Sequence, residues 1–402
     1  MNKQYCKLIM VTPDNNNKYY EMTWNGGSTF TVKYGRVEST TQTGSYPYSK
    51  WNSKYSEKIR KGYKDVTDFV TVDVVKNDVV PDKLVDVKEK LVNEFLILMK
   101  KYTDNLVSTT YSVKADAVSQ KQIYAAQKII DELNALAGKQ RSAGTTQLKI
   151  NELLVDLYTV IPRRMGHVSN YILPNIKLEN TLQNEQDNLD AMAAQVSLIK
   201  PKTAKQKAAN TKASQTILDK LGITDMKECK GTPKEVEYLV KQNHGRKINA
   251  IFELKKPSED STFEKWMKNQ KDKSTRILIH GTRCTSVIPI LEIGLKIRPV
   301  GNFQFSGKAY GDGNYFSEHM QKSLNYTGGD SDKVILVYEV HTGNPFTYDG
   351  WFRGNSFNLN YKELSSRGYD STYVKAGHGL MNSEIIAYKE EQCRIKYIIW
   401  LK

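Results

Sequence analysis

GKAYGDGNYFSEHMQKSLNYT, residues 307–327, joins a glycine-bearing turn to the aromatic pair Tyr315-Phe316 and then to a short helical pattern over 318–326. Upstream, ILIHGTR at 277–283 is an apolar run ending in His280, Gly281 and Thr282. Downstream, NSEIIAYKEEQCRIKYIIWL at 382–401 opens a strand on Glu384. Further short runs rich in Ile, Val and Tyr recur at 248–254, 276–280 and 334–340, with a helical pattern over 286–293. Runs of this length between Gly- and Asn-bearing loops predict a mixed α+β domain on a largely antiparallel sheet over 220–402. A histidine at one strand end, a tyrosine after a glycine turn and a carboxylate at another strand start can meet in one cleft. Singly, each has a plainer reading. A lone His280 is more often a hydrogen-bonded core residue, Tyr315 and Tyr326 are more often packing residues, and Glu384 is more often a surface carboxylate. The glycine turn alone is weak evidence for a nucleotide.

Outward from this domain the pattern changes twice. Residues 82–200 carry helical spacing: Leu84, Val87, Leu91, Phe95, Leu98 and Tyr102 in a first stretch, then Ile123, Ala126, Ile130 and Leu133 behind a Ser119/Gln122 capping box. A third stretch from about 147 stops before Pro162, and a fourth covers 182–199. Successive amphipathic helices predict a bundle, because each apolar stripe needs a partner. Between the two regions, 201–219 is a basic linker, with PKTAKQKAANTKASQ at 201–215; a nuclear-targeting role is the weaker alternative. At the N-terminus, Tyr20, Met22 and Trp24 alternate with polar residues, as do Phe30, Val32 and Tyr34 across Asn25-Gly26-Gly27. With a turn at 14–17 and a short helix over 49–62, this predicts a small antiparallel sheet domain over 1–76.

Composition bounds the function classes. The chain has 402 residues and a formal net charge of +15, which suits a polyanion partner and equally suits plain solubility. Cys6, Cys229, Cys284 and Cys393 are scattered without a CxxC pair, so a zinc site or disulfide framework is not expected. No apolar run nears the ~20 residues of a membrane span, and MNKQYCKLIMVTPDNNN lacks a signal-peptide core, so an intracellular protein is expected.

In their order, HGT, then GxGxYF followed by SxNY, then NSEIIAY, these segments resemble the catalytic domain of the poly(ADP-ribose) polymerases. LLVDLYTVIPRRMG at 153–166 and the Ser119 helix resemble that family's helical regulatory domain. Lys33-Tyr34-Gly35-Arg36-Val37 and its sheet resemble a WGR domain. The resemblance covers nearly the whole chain outside the basic linker. It implies a multidomain α+β protein: a small antiparallel WGR-like domain, an all-α helical regulatory bundle and a mixed α+β ADP-ribosyltransferase domain. It implies NAD+ as substrate, no metal, and transfer of ADP-ribose to protein acceptors.

The resemblance also implies roles. His280 would hold a ribose hydroxyl on the adenosine side of NAD+. Tyr315 would lie beneath the nicotinamide ring and Tyr326 on its other face. Gly281 would bind the carboxamide through its backbone, Ser323 would complete that clamp, and Glu384 would be the catalytic carboxylate. Retention of Glu384 implies polymer formation, and the WGR-like domain implies stimulation by DNA strand breaks, with 5′-phosphorylated ends engaged through Lys33, Tyr34 and Arg36 and through neighbours such as Lys54 and Lys61. Tyr34 replaces the family's tryptophan, and Lys296 stands where relatives often carry arginine, with Arg298 nearby. The alternatives are a DNA-independent mono-ADP-ribosyltransferase of the same fold and a non-enzymatic DNA-binding module. An auxiliary protein completing the site, and either a nuclear or a prokaryotic cytoplasmic setting, stay open.

Overall fold

A period of two puts Tyr20, Met22 and Trp24 on one side of a strand. The computed structural model describes residues 4–69, 84–137, 144–199, 215–243, 245–297, 309–348, 359–377 and 380–402. In it this pattern becomes a sheet of β1 (Gln4–Thr12), β2 (Asn16–Trp24), β3 (Thr29–Arg36), β4 (Gln42–Pro47) and β5 (Lys64–Asp65), in the order β4-β3-β2-β1-β5. Helix α1 (Trp51–Arg60) covers the apolar face, where Leu8, Tyr20, Met22, Phe30 and Val32 are buried with Trp51. The opposite face is mixed: Lys7 pairs across the ladder with Glu21, and Glu21 with Lys33, while Ile9 and Val11 on the same side are buried.

The helical stretches fold as α2 (Lys90–Thr110), α3 (Gln120–Ala137), α4 (Gly144–Val160) and α5 (Leu178–Ile199). The expected capping box is present: Ser119 N–H donates to Gln122 Oε1 at 2.9 Å, and Gln122 N–H to Ser119 Oγ at 3.2 Å. The first helix was expected from Leu84 but begins six residues later. Val85 instead bridges to Thr216, its N–H donating to the Gln215 carbonyl at 3.0 Å. Packing divides the chain into two units, Met1–Pro81 with Asn105–Lys200, and Asp82–Asp104 with Pro201–Lys402. The first part of α2 therefore groups with the C-terminal unit, where Phe95 meets Phe252 and Trp400 at 5.1 and 5.6 Å.

That unit continues through α6 (Ile217–Leu221), β6 (Asp225–Glu228), α7 (Glu237–Val240), β7 (Ile248–Lys255), α8 (Pro257–Lys268), β8 (Thr275–Thr282) and α9 (Cys284–Ile293). Then follow β9 (Asn314–Phe316), α10 (Met320–Leu324), β10 (Lys333–His341), β11 (Pro345–Tyr348), α11 (Tyr361–Ser366), β12 (Ser371–Val374), β13 (Glu384–Ala387) and β14 (Cys393–Leu401). The strands form two sheets rather than the single one expected, β6-β7-β14-β10-β8 and β11-β12-β13-β9. All described pairs are antiparallel except β11 with β12. The core of the larger sheet is filled by β-branched and aromatic side chains, among them Ile251, Ile279, Ile335, Val337 and Ile399.

Cys6, Cys284 and Cys393 are buried and Cys229 partly so, all as free thiols. Among the described residues no helix is long and apolar enough to cross a membrane, and no group of His, Cys, Asp or Glu is placed to hold a metal ion. The linker residues 201–214, Arg298 and the loop from 299 to 308 lie outside the described residues.

Candidate active site

The site is assembled by one isolated bridge. Ile279 and Ser317 exchange both backbone hydrogen bonds at 3.0 Å, tying the end of β8 to the segment that follows β9. This sets His280 against the backbone of Tyr315, with Nδ1 3.0 Å from the Tyr315 carbonyl. A carbonyl only accepts, so Nδ1 carries the proton and Nε2 of the neutral ring is left as an acceptor. Burial holds the His280 pKa below its ordinary value, which keeps the imidazole neutral at pH 7.

Gly281 follows, and its lack of a side chain is a packing requirement. A Cβ there would lie 1.8 Å from the carbonyl oxygen of Ser323 on α10. Ser323 is buried, its hydroxyl 3.4 Å from the Ile279 carbonyl. The strand β8 and helix α10 thus touch backbone to backbone beside His280.

Tyr315 is held at both ends. Its strand β9 pairs with β13, Tyr315 opposite Ile386. Its hydroxyl accepts from Tyr310 N–H at 2.8 Å and donates to the Gly311 carbonyl at 2.9 Å. The turn supplying those groups needs its glycines for close approach. A Cβ on Gly311, whose φ is +96°, would meet the Leu359 carbonyl at 1.9 Å, and one on Gly313 would meet Ile386 at 2.5 Å. Close packing against Leu359 and Ile386 thus requires both glycines of the GDG motif.

Glu384 opens β13 opposite Val374 and is only 5% exposed. Ser317 Oγ donates to the Ser383 carbonyl at 3.1 Å, fixing the residue before it. Lys322 Nζ lies 2.8 Å from Glu384 Oε1, so the buried carboxylate is paired. Sequence reasoning missed Ser317 and Lys322; their signal was position alone, inside 307–327 and directly before Ser323. Tyr310, fully buried, has its phenol pushed up to about 12 by burial and by Glu384. Tyr326 follows α10, 42% exposed as a residue, and donates its N–H to the Ser323 carbonyl. His280, Gly281, Tyr315, Ser323, Tyr326 and Glu384 are therefore linked by direct contacts through β8, β9, α10 and β13. Lys296 is paired with Glu390 at 2.6 Å.

The three N-terminal candidates do not share one surface. Tyr34 lies on the α1 side, its ring 5.7 Å from Tyr20, where Lys58 stands 4.2 Å over Tyr20 and Lys54 4.7 Å over Tyr46. Lys33 is on the opposite face. The Arg36 guanidinium is bound to the Asn15 carbonyl at 2.7 Å, to Asn15 Oδ1 at 2.9 Å and to the Gly166 carbonyl at 2.7 Å.

A model of the poly(ADP-ribose) polymerase catalytic domain matches residues 226–349. The chain is 56% identical over 169 residues to the poly(ADP-ribose) polymerase-like protein 100L of Invertebrate iridescent virus 6, covering 41% of this chain and 92% of that one. Protein 101L of the same virus, described as uncharacterized, is 43% identical over 192 residues, 48% of this chain and 77% of its own. The protein mono-ADP-ribosyltransferase PARP3 of Gallus gallus is 26% identical over 320 residues, 71% of this chain and 58% of its own. The chain belongs to the poly(ADP-ribose) polymerase family of NAD+-using ADP-ribosyltransferases.

Proposed function

We propose that this chain breaks the nicotinamide–ribose bond of NAD+ and passes ADP-ribose to a protein acceptor, with Glu384 as the catalytic carboxylate. The observation that carries the reading is a buried carboxylate, held by Lys322, in a site that also contains a neutral His280 and a clamped Tyr315. Bond breaking leaves oxocarbenium-like charge on the anomeric carbon, and a pre-placed carboxylate stabilises that charge more than it stabilises the ground state. His280 Nε2 accepts from a ribose hydroxyl. The Gly281 backbone and the Ser323 hydroxyl suit a primary amide, and Tyr315 and Tyr326 suit the two faces of a pyridinium. Glu384→Gln keeps the shape and removes the charge. The expected result is a loss of about 10²–10³-fold in NAD+ consumption with a lowered melting temperature, because Lys322 loses its partner, and a folded chain by circular dichroism; unaltered turnover would remove Glu384 from the chemistry.

Around this centre we place a WGR-like domain at 1–76, a helical regulatory domain at 82–200, a basic linker at 201–219 and the catalytic domain at 220–402. Polymer formation is the product reading that the retained Glu384 supports, against transfer of a single unit. A second reading, stimulation by DNA strand breaks, is favoured by the alternating lysines and tyrosines beside Tyr34. Phosphate attraction and ring stacking are the two contacts that an unpaired DNA end offers.

A further inference from the structure

The N-terminal unit contains a cavity that the reaction does not use. It has a volume of about 240 Å³ and lies over the mixed face of the first sheet, with Tyr5, Lys7, Glu21, Thr23 and Lys33 on one wall. Val113, Ala117, Gln122 and Pro162 line the other side, with Ile9 and Val66 in the apolar part. A cavity of about 150 Å³ already admits benzene, so this one has room for an organic molecule.

Its charges define what fits. Lys7 Nζ is 2.9 Å from Glu21 Oε1, so these two neutralise each other. Lys33 stands across the ladder from Glu21, and its side chain makes no hydrogen bond or ion pair among the described residues. Two lysines against one glutamate leave one net positive charge in the lining. Gln122 is held in place, its amide nitrogen donating to the Val160 carbonyl at 2.8 Å and its amide oxygen accepting from Ser119 N–H at 2.9 Å, and it carries no charge. A polyanion is disfavoured by Glu21, and Lys33, exposed to solvent, offers a single anionic head an ion pair that a neutral molecule cannot make. A monoanion with an apolar body satisfies both halves of the wall.

We propose that this cavity binds a small monocarboxylate with an aliphatic or aromatic body. Its carboxylate is received by Lys33 and Thr23, and its body lies against Ile9, Val66, Val113 and Pro162. Its lining shares no residue with the candidate active site, and the proposal stands whether or not the catalytic reading does, because binding is measured directly.

The test is titration calorimetry of the full chain with hexanoate, hexanamide and adipate. Hexanoate is expected to bind saturably, hexanamide at least roughly tenfold more weakly, the size of one lost charge-assisted hydrogen bond, and adipate at least roughly tenfold more weakly because its second carboxylate meets the apolar wall and Glu21. Lys33→Gln is expected to weaken hexanoate by a similar factor, and Ala117→Leu, which fills the cavity, to abolish binding. Equal affinity for hexanoate and hexanamide, an unaffected Lys33→Gln, or no saturation would overturn the proposal. Should Ala117→Leu fail to fold, the amide comparison and Lys33→Gln still decide. Loss of affinity for a short DNA duplex in Lys33→Gln, with hexanoate binding unchanged, would also overturn it and assign Lys33 to a phosphate surface.

Discussion

At the scale of single residues the site is governed by two constraints. The first is contact between backbones. Gly281 lies so close to Ser323 that any Cβ meets a carbonyl oxygen, which no rotamer change can relieve. Gly281→Ala must therefore push β8 away from α10. Overpacking of this kind costs about 1–3 kcal/mol, and a displacement of about 1 Å near reacting groups lowers rates by ~10²-fold. NAD+ turnover is expected to fall by about that factor while the melting temperature drops only modestly; an active Gly281→Ala enzyme would show that the close approach is not needed. The second constraint is the proton on His280. Burial lowers its folded pKa, whereas in the unfolded chain it titrates near 6.5. Between those values the unfolded chain binds more protons. The stability from this group is thus present above about pH 6.5 and lost as pH falls through the folded value. Nε2 also accepts only while neutral. A profile of kcat/KM against pH is expected to stay level across 6.5 and to fall only at more acidic pH; a break at or above 6.5 contradicts the buried, neutral ring.

Elements were legible where a periodic apolar pattern met a buried face. Tyr20, Met22, Phe30 and Val32 marked β2 and β3 because α1 covers one side of them. QTGSYP gave no such signal for β4, which sits at the edge of its sheet with no residue buried. β9, β11 and β12 are three or four residues long, too short for a period to register. Helix α8 was missed because Phe263 is its single buried residue. Alternation also cannot say which strands pair, so the second sheet was hidden, although every motif on β8, β9, α10 and β13 was visible. The Pro162 stop was read correctly, but nothing marked the ion pair beyond it. Arg163 is buried against Glu185 of α5, with its guanidinium 4.1 Å over the Tyr111 ring. Breaking a buried pair by removing one partner costs about 3–5 kcal/mol. Arg163→Met and Glu185→Gln are each expected to lower urea-unfolding stability by that order. Arg163→Met with Glu185→Leu should recover most of the loss, since neither charge is then stranded. Additive losses in the double variant would mean that the two side chains act independently.

Across the whole molecule the charge of +15 is the property that no single element explains. If it serves DNA, the binding surface should lie where cations and rings alternate. That is the Tyr34 side of the first sheet, with Lys54 over Tyr46 and Lys58 over Tyr20 and Tyr63. Each phosphate neutralised releases counterions, so log affinity falls linearly with log salt, by about 0.9 per contact on duplex. Binding of a nicked, 5′-phosphorylated duplex should weaken steeply with salt, and Lys54→Gln with Lys58→Gln should reduce that slope by about two. Tyr34→Ala should lower affinity at every salt concentration while leaving the slope alone, because a ring contact releases no counterions. Turnover of NAD+ measured with and without the same duplex, with products separated on a denaturing gel, then connects binding to catalysis. A ladder dependent on DNA that collapses in the lysine double variant would join the basic face to the Glu384 site. DNA-independent turnover leaving one unit per acceptor would keep the transferase and assign the excess charge to solubility. A slope unaltered by the lysine changes would move the DNA surface away from α1.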